Sequence, residues 1–190
     1  MGIDTLTIQP AQNNFGQIID KTLSYEGSAF NPKDPSKFGV LQTTYQKYLT
    51  DNNKPLKTVD RITLPEAQDI YHKDYYLKNS LDKLPERLSA VTFDYAVHSG
   101  SGTAIKALQK LVGTEIDGKM GPHTLAAIDR FVKINGEDVL IEGLINHRRE
   151  YIERLIKRNP NLPAQGLRNR VDKVEHDWLR INSGIRNLKR

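Results

Sequence analysis

Apolar positions recur along most of this chain at helical rather than strand spacing. Phe15, Ile18, Ile19, Thr22 and Leu23 follow the i, i+3, i+4, i+7, i+8 pattern of one helix face and predict a helix from Phe15 to Glu26, with Gly27 as its stop. Glu26 follows Leu23, Thr22 and Ile19 on that face, so a carboxylate closes the apolar stripe. Residues 28–38 read as a loop through Asn31-Pro32, Asp34-Pro35 and Ser36, with Gly39 after it and room for short strands around 28–41. Val40 to Leu49 predicts a short helix or turn region, and 50–60 a polar linker. Thr63 with Glu66 has the spacing of a capping box, opening a helix whose buried side is Ile70, Tyr71, Tyr75 and Leu77.

Leu84 to Ser99 differs from these. Leu88, Ala90, Val91, Phe93, Tyr95, Ala96 and Val97 surround the helix axis, so this helix belongs at the centre of a fold. Asp94 sits among them, and a carboxylate on such a helix needs a partner, backbone or arginine, to offset its burial. Thr103 is placed to cap the next helix, which offers Ala104, Ile105, Ala107, Leu108, Leu111 and Val112 to a core. Asp117-Gly118-Lys119-Met120-Gly121-Pro122 is a tight connection between helices, too short for a calcium loop, with Pro122 suited to a first helical position. A long helix over 137–158 carries Leu140, Leu144, Arg148, Tyr151, Ile152 and Leu155 on one side and ends at Asn159-Pro160. A last helix carries Leu167, Val171, Val174, Trp178 and Ile181. The class is mainly α, without a fixed-period repeat.

Composition narrows the chemistry. At 190 residues the chain holds one full domain, or a catalytic part with a satellite. It has no cysteine, which removes disulfides, thiolate metal sites and thiol nucleophiles. Its five histidines show no metal-ligand spacing, and no phosphate-cradling glycine loop is present, so neither a metal nor a cofactor is expected. The net charge of +5 favours a polyanionic partner, with the C-terminal third as the expected electrostatic contact. No helix there carries the clustered basic, base-reading face of a nucleic-acid binder. Met1 to Gln12 lacks the basic and apolar regions of a secretory signal, and no apolar run approaches the roughly 20 residues of a membrane span. Synthesis in the cytoplasm without stable membrane insertion is the expectation.

Glu26 is the residue with most chemical promise. Cleaving a glycosidic bond needs a carboxylic acid that stays protonated near neutral pH, and apolar neighbours raise a carboxyl pKa. On periodicity alone, a helix-end glutamate reaching water is the commoner outcome. The sequence of motifs narrows the choice. Ser24-Tyr25-Glu26-Gly27-Ser28-Ala29-Phe30, then Asp34-Pro35, then Phe38-Gly39-Val40-Leu41-Gln42-Thr43 resembles the opening of the glycoside hydrolase family 108 muramidases, which read E-G-G-Y, a D-P loop, then N-Y-G-I-T. Leu64-Pro65-Glu66-Ala67-Gln68-Asp69-Ile70-Tyr71 resembles that family's L-T-x-E-E-A-x-x-I-Y segment. Phe93-Asp94-Tyr95-Ala96-Val97-His98-Ser99-Gly100 is similar to its F-D-x-A-V-N-S-G signature, and Gly166-Leu167-Arg168-Asn169-Arg170-Val171 to its G-W-x-N-R-V ending. The segment from Ala104 through the Asp117–Leu125 turn resembles its peptidoglycan-binding-like part.

The resemblance implies a lysozyme-like helical fold, with residues 1–100 as the catalytic part and 101–190 as a helical peptidoglycan-binding-like part. It implies hydrolysis of the β-1,4 bond between N-acetylmuramic acid and N-acetylglucosamine, with Glu26 as general acid. Ser28 replaces a glycine and the usual G-G-A-T is missing, so the 33–38 loop is shorter; Asp34 and Ser36 are the candidates for the second carboxylate and the water-holding hydroxyl. Gln42, Tyr45, Tyr95 and His98, the last in place of the family's asparagine, are candidates for sugar contacts. The implied partner is bacterial peptidoglycan, met in the periplasm or wall by a monomer that a holin or secretion machinery releases, as in phage endolysins. A non-catalytic wall-binding module and a lytic transglycosylase are the competing readings.

Overall fold

The stripe from Phe15 folds as helix α1 (Phe15–Glu26), which buries Ile18, Ile19 and Thr22. A computed structural model describes residues 15–26 and 31–180, apart from the side chains of Glu26 and Arg180. Two compact units result, one within residues 14–78 and one within 79–190.

In the first unit a two-stranded antiparallel hairpin follows, β1 (Ser36–Lys37) and β2 (Val40–Leu41), running directly into α2 (Gln42–Asp51). The polar linker closes with a 3-10 turn at Val59–Arg61, which buries Val59. Helix α3 (Leu64–Tyr71) starts with the capping box expected of Thr63 and Glu66, each side chain meeting the other residue's backbone N–H. The buried side of α3 departs from expectation beyond Tyr71. There the chain widens into a π-turn, His72–Leu77, and the extra residue per turn rotates the face. Tyr76 is buried instead, Tyr75 is half-buried and Leu77 is 43% exposed. Phe15 packs on the widened turn, its ring centroid 4.5 Å from His72 and 4.9 Å from Tyr76.

The second unit is built on α4 (Glu86–Ser99), in which every residue from Leu88 to Ala96 is buried. Against it pack α5 (Ser101–Val112) and α7 (Glu137–Arg158), with α6 (Pro122–Asn135) and α8 (Ala164–Glu175) alongside, and a π-turn at His176–Arg180 closing the described chain. Thr103 does not cap α5. Gly100, at φ 88°, is its N-cap, and its carbonyl accepts the Thr103 and Ala104 N–H groups. Pro122 takes the first position of α6 as expected. On α7, Gly143 lets α5 come close: a Cβ there would lie 3.1 Å from Leu111 Cδ2. Of the last expected apolar stripe, Val171, Val174 and Trp178 are buried, whereas Ile181 lies outside the described residues.

Arginines bind these helices together. Arg87 on α4 donates to Glu137 and Asp138 in the first turn of α7, where carboxylates also suit the helix dipole. Arg148 and Arg170 meet Asp94, Arg149 meets Asp172 and Glu175, Arg154 meets Glu150, and Arg168 meets Glu153. Much of the basic excess expected to face a polyanion is therefore matched by carboxylates of the same unit. No helix among the described residues is long and apolar enough to cross a membrane.

Candidate active site

Residues 31–42 form a tightly tied hairpin. Asn31 Oδ1 accepts the Lys33 N–H at 3.1 Å, an Asx turn that opens the loop, and Asn31 N donates to Ser36 O at 2.9 Å. Phe38 and Gly39 both have positive φ, 52° and 75°, the pattern of a two-residue primed turn whose twist suits a hairpin. That conformation is strained for phenylalanine. The Tyr71 hydroxyl holds it by donating to Phe38 O at 2.9 Å, and Lys37 Nζ lies 5.4 Å from the Phe38 ring while donating to Asp60 O at 2.8 Å. The hairpin is thus tied from outside by Tyr71 and Asp60 as well as within itself.

Asp34 is exposed on the turn between the two prolines, and Ser36 is half-buried on β1. Glu26 is the last residue of α1, but its side chain, like residues 27–30, lies outside the described residues. Gln42 is committed locally: Oε1 accepts the Val59 N–H at 2.7 Å and Nε2 donates to Lys57 O at 3.2 Å. It ties the 57–59 segment to the base of the hairpin. Tyr45 lies in the core, fully buried, its hydroxyl donating to Glu66 Oε2 at 2.9 Å. Burial and that carboxylate push its phenol up to about 12. Burial alone would raise Glu66, yet hydrogen bonds from Thr63, Tyr45 and Lys54 hold its carboxyl below the ordinary range. Tyr48, a residue passed over in the sequence, extends the cluster by donating to Asp69 at 3.0 Å.

Tyr95 and His98 belong to the second unit. Tyr95 is fully buried, with its hydroxyl 3.3 Å from His147 Nδ1 and the Arg148 guanidinium 5.3 Å from its ring. Burial carries its phenol to about 12. His98 is half-buried at the end of α4; burial, then the charges of Arg148 and Arg170, lower it to about 4, so it is a neutral imidazole at ordinary pH. One helical turn before it, Asp94 accepts from Arg148 Nη1 at 2.7 Å and from Arg170 Nη2 at 2.8 Å. Burial opposes ionisation of Asp94, but the two guanidinium charges outweigh it and keep the carboxyl below the ordinary range. The arginine partner anticipated for Asp94 is therefore a pair. Arg148 could be singled out from its place in the apolar stripe of α7, while Arg170 had only a motif to mark it.

The structure thus groups Asp34, Ser36, Gln42 and Tyr45 in one unit and Tyr95 and His98 in the other. The sequence marked neither the Tyr71 clamp nor the strained Phe38. A Phe-Gly pair between two short extended pieces was the available signal, weaker than the usual Asn-Gly.

Comparisons with known proteins divide the chain later than its compact units do, after α4 rather than before it. Residues 19–100 match the family model described as glycosyl hydrolase 108, and residues 103–179 match one described as predicted peptidoglycan domain. A solved structure of Brucella abortus SagA is 29% identical, with 89% of this chain and 95% of that chain covered and a TM-score of 0.70. No curated protein matches. Residues 19–100 thus carry a lysozyme-like glycosyl hydrolase 108 segment joined to a helical peptidoglycan domain, the make-up of a glycoside hydrolase of peptidoglycan.

Proposed function

We propose that the chain is a muramidase, cutting the β-1,4 bond between N-acetylmuramic acid and N-acetylglucosamine. Glu26 protonates the bridging oxygen as the bond breaks, and the anomeric carbon, with oxocarbenium character, is taken by water. Asp34 or Ser36 orients that water or stabilises the developing charge. The observation that supports this best is the braced hairpin. It begins at Asn31, shortly after the end of α1, and presents Asp34 and Ser36 on a backbone tied to Tyr71, Asp60 and Val59. Groups held in advance lose little freedom as the transition state forms.

In this reading residues 1–100 perform the chemistry and 101–190 hold the wall. Gln42, Tyr45 and Tyr95 brace the scaffold, since their polar atoms already have partners within the chain. His98, a neutral imidazole whose Nδ1 lies 3.4 Å from Ser99 Oγ, is kept as a candidate sugar contact. The enzyme works as a monomer in the periplasm or wall after release by a holin or secretion machine.

Product analysis tests the bond and the reaction type together. Purified wall should yield fragments ending in reducing N-acetylmuramic acid. Anhydro ends would assign a lytic transglycosylase, reducing N-acetylglucosamine a glucosaminidase, and tight sedimentation with no soluble fragments a binding module.

A further inference from the structure

Helices α7 and α8 enclose a pocket of about 220 Å³, lined by Arg149, Ile152, Glu153, Arg168, Val171 and Asp172. Its floor is aliphatic: Ile152 and Val171 are each 1% exposed as residues. Its rim is charged on both sides. Arg168 Nε and Nη2 donate to Glu153 Oε1 and Oε2 at 2.7 and 2.8 Å, and Arg149 Nη2 donates to Asp172 Oδ1 at 3.0 Å. These two pairs are solvent-accessible, with side-chain exposures from 37% to 64%, so the Arg168–Glu153 pair can be exchanged for ligand groups at small cost, while Arg149 keeps a second partner in the less exposed Glu175.

Resting on the peptidoglycan-hydrolase reading, we infer that this pocket holds the peptide stem of the wall rather than its sugar. Sugar rings are gripped by flat aromatic faces and amide groups, and among the described residues no aromatic side chain lines this site. A wall stem offers the complementary set: small methyl side chains for the Ile152–Val171 floor, free carboxylates for Arg149 and Arg168, and an amine for Glu153 or Asp172. The volume also fits a fragment. Sites for whole drug-sized ligands run from roughly 300 to 1,000 Å³. The pocket lies within residues 103–179, the segment matching the peptidoglycan domain family. Placed there, it makes cutting depend on whether the strand still carries its peptides.

The test uses the full-length chain and the free tetrapeptide L-Ala-γ-D-Glu-diaminopimelate-D-Ala. Methyl NMR should show saturable shifts at Ile152 and Val171. Arg168→Ala should weaken that binding about tenfold, as loss of one charge-assisted hydrogen bond does. Arg168→Lys should recover part of it, and Arg154→Ala should leave it unchanged. Arg168→Ala should also slow hydrolysis of stem-bearing wall while leaving the rate on amidase-stripped glycan intact. No methyl shifts in the unmutated protein, or shifts indifferent to Arg168→Ala, would overturn the assignment. Stem binding without hydrolysis of either glycan would instead refute the proposed activity and leave the pocket standing.

Discussion

Arg148 Nη1 lies 2.7 Å from Asp94 Oδ2, joining α7 to α4 with each side chain only 1% exposed. Arg170 completes the cluster from α8, so one carboxylate serves two guanidinium groups and locks three helices. Asp94→Asn leaves both cations buried without a countercharge. It should destabilise the protein by about 3–5 kcal/mol, seen as a lower denaturant midpoint with unchanged slope. The same cluster sets an acid limit. Because the Asp94 carboxyl is held below its ordinary range, its stabilisation is complete above the unfolded value of about 3.9 and fades as pH falls through the folded value. Wild type should lose stability below about pH 4 more steeply than Asp94→Asn.

Alkaline pH acts on the tyrosines. Tyr45 and Tyr95 stay protonated up to about 12, against 10.0 for an ordinary phenol. The unfolded chain therefore releases those protons first, and stability should decline from about pH 10 upward. Tyr45→Phe should flatten part of that decline and, at neutral pH, cost about 0.5–1.5 kcal/mol for the lost Glu66 hydrogen bond. Tyrosinate absorbance followed with unfolding measures both effects.

Gln109 anchors the Asp117–Pro122 turn. Its Nε2 shares two N–H groups among Asp117, Lys119 O and Thr124, and its Oε1 accepts from Gly118 N at 2.8 Å. Gln109→Leu should cost about 2–3 kcal/mol by leaving these groups unpaired. Amide exchange at Gly118 should accelerate well beyond that in α4.

The same turn shows what a sequence can carry. It reads as a tight helix connection from Asp, Gly and Pro alone, because those residues determine backbone geometry locally. Gln109, which ties it down, looks like any polar residue on a helix. The ends of α1 and α7 were legible for a similar local reason, as were the capping box at Thr63 and the central position of α4. The π-turn at His72–Leu77 was not: it packs against Phe15, far away in sequence, and shifts the buried face from Leu77 to Tyr76. In the candidate site, Asp34 and Ser36 came from family likeness, whereas the committed amide of Gln42 and the Tyr71 clamp depend on contacts 15–33 residues apart.

Tyr71→Phe removes the hydroxyl that steadies Phe38 at positive φ. If the hairpin positions catalytic groups, the rate on wall should fall about tenfold while global stability changes by no more than about 1.5 kcal/mol. Unchanged turnover would detach the hairpin from catalysis.

The most direct measurement is turbidity loss of purified peptidoglycan by wild type and Glu26→Gln at matched folded concentration. A general acid at Glu26 predicts a fall of about a hundredfold or more, with thermal stability preserved. Equal clearance by both proteins would contradict it, because glutamine has no proton to give the leaving oxygen.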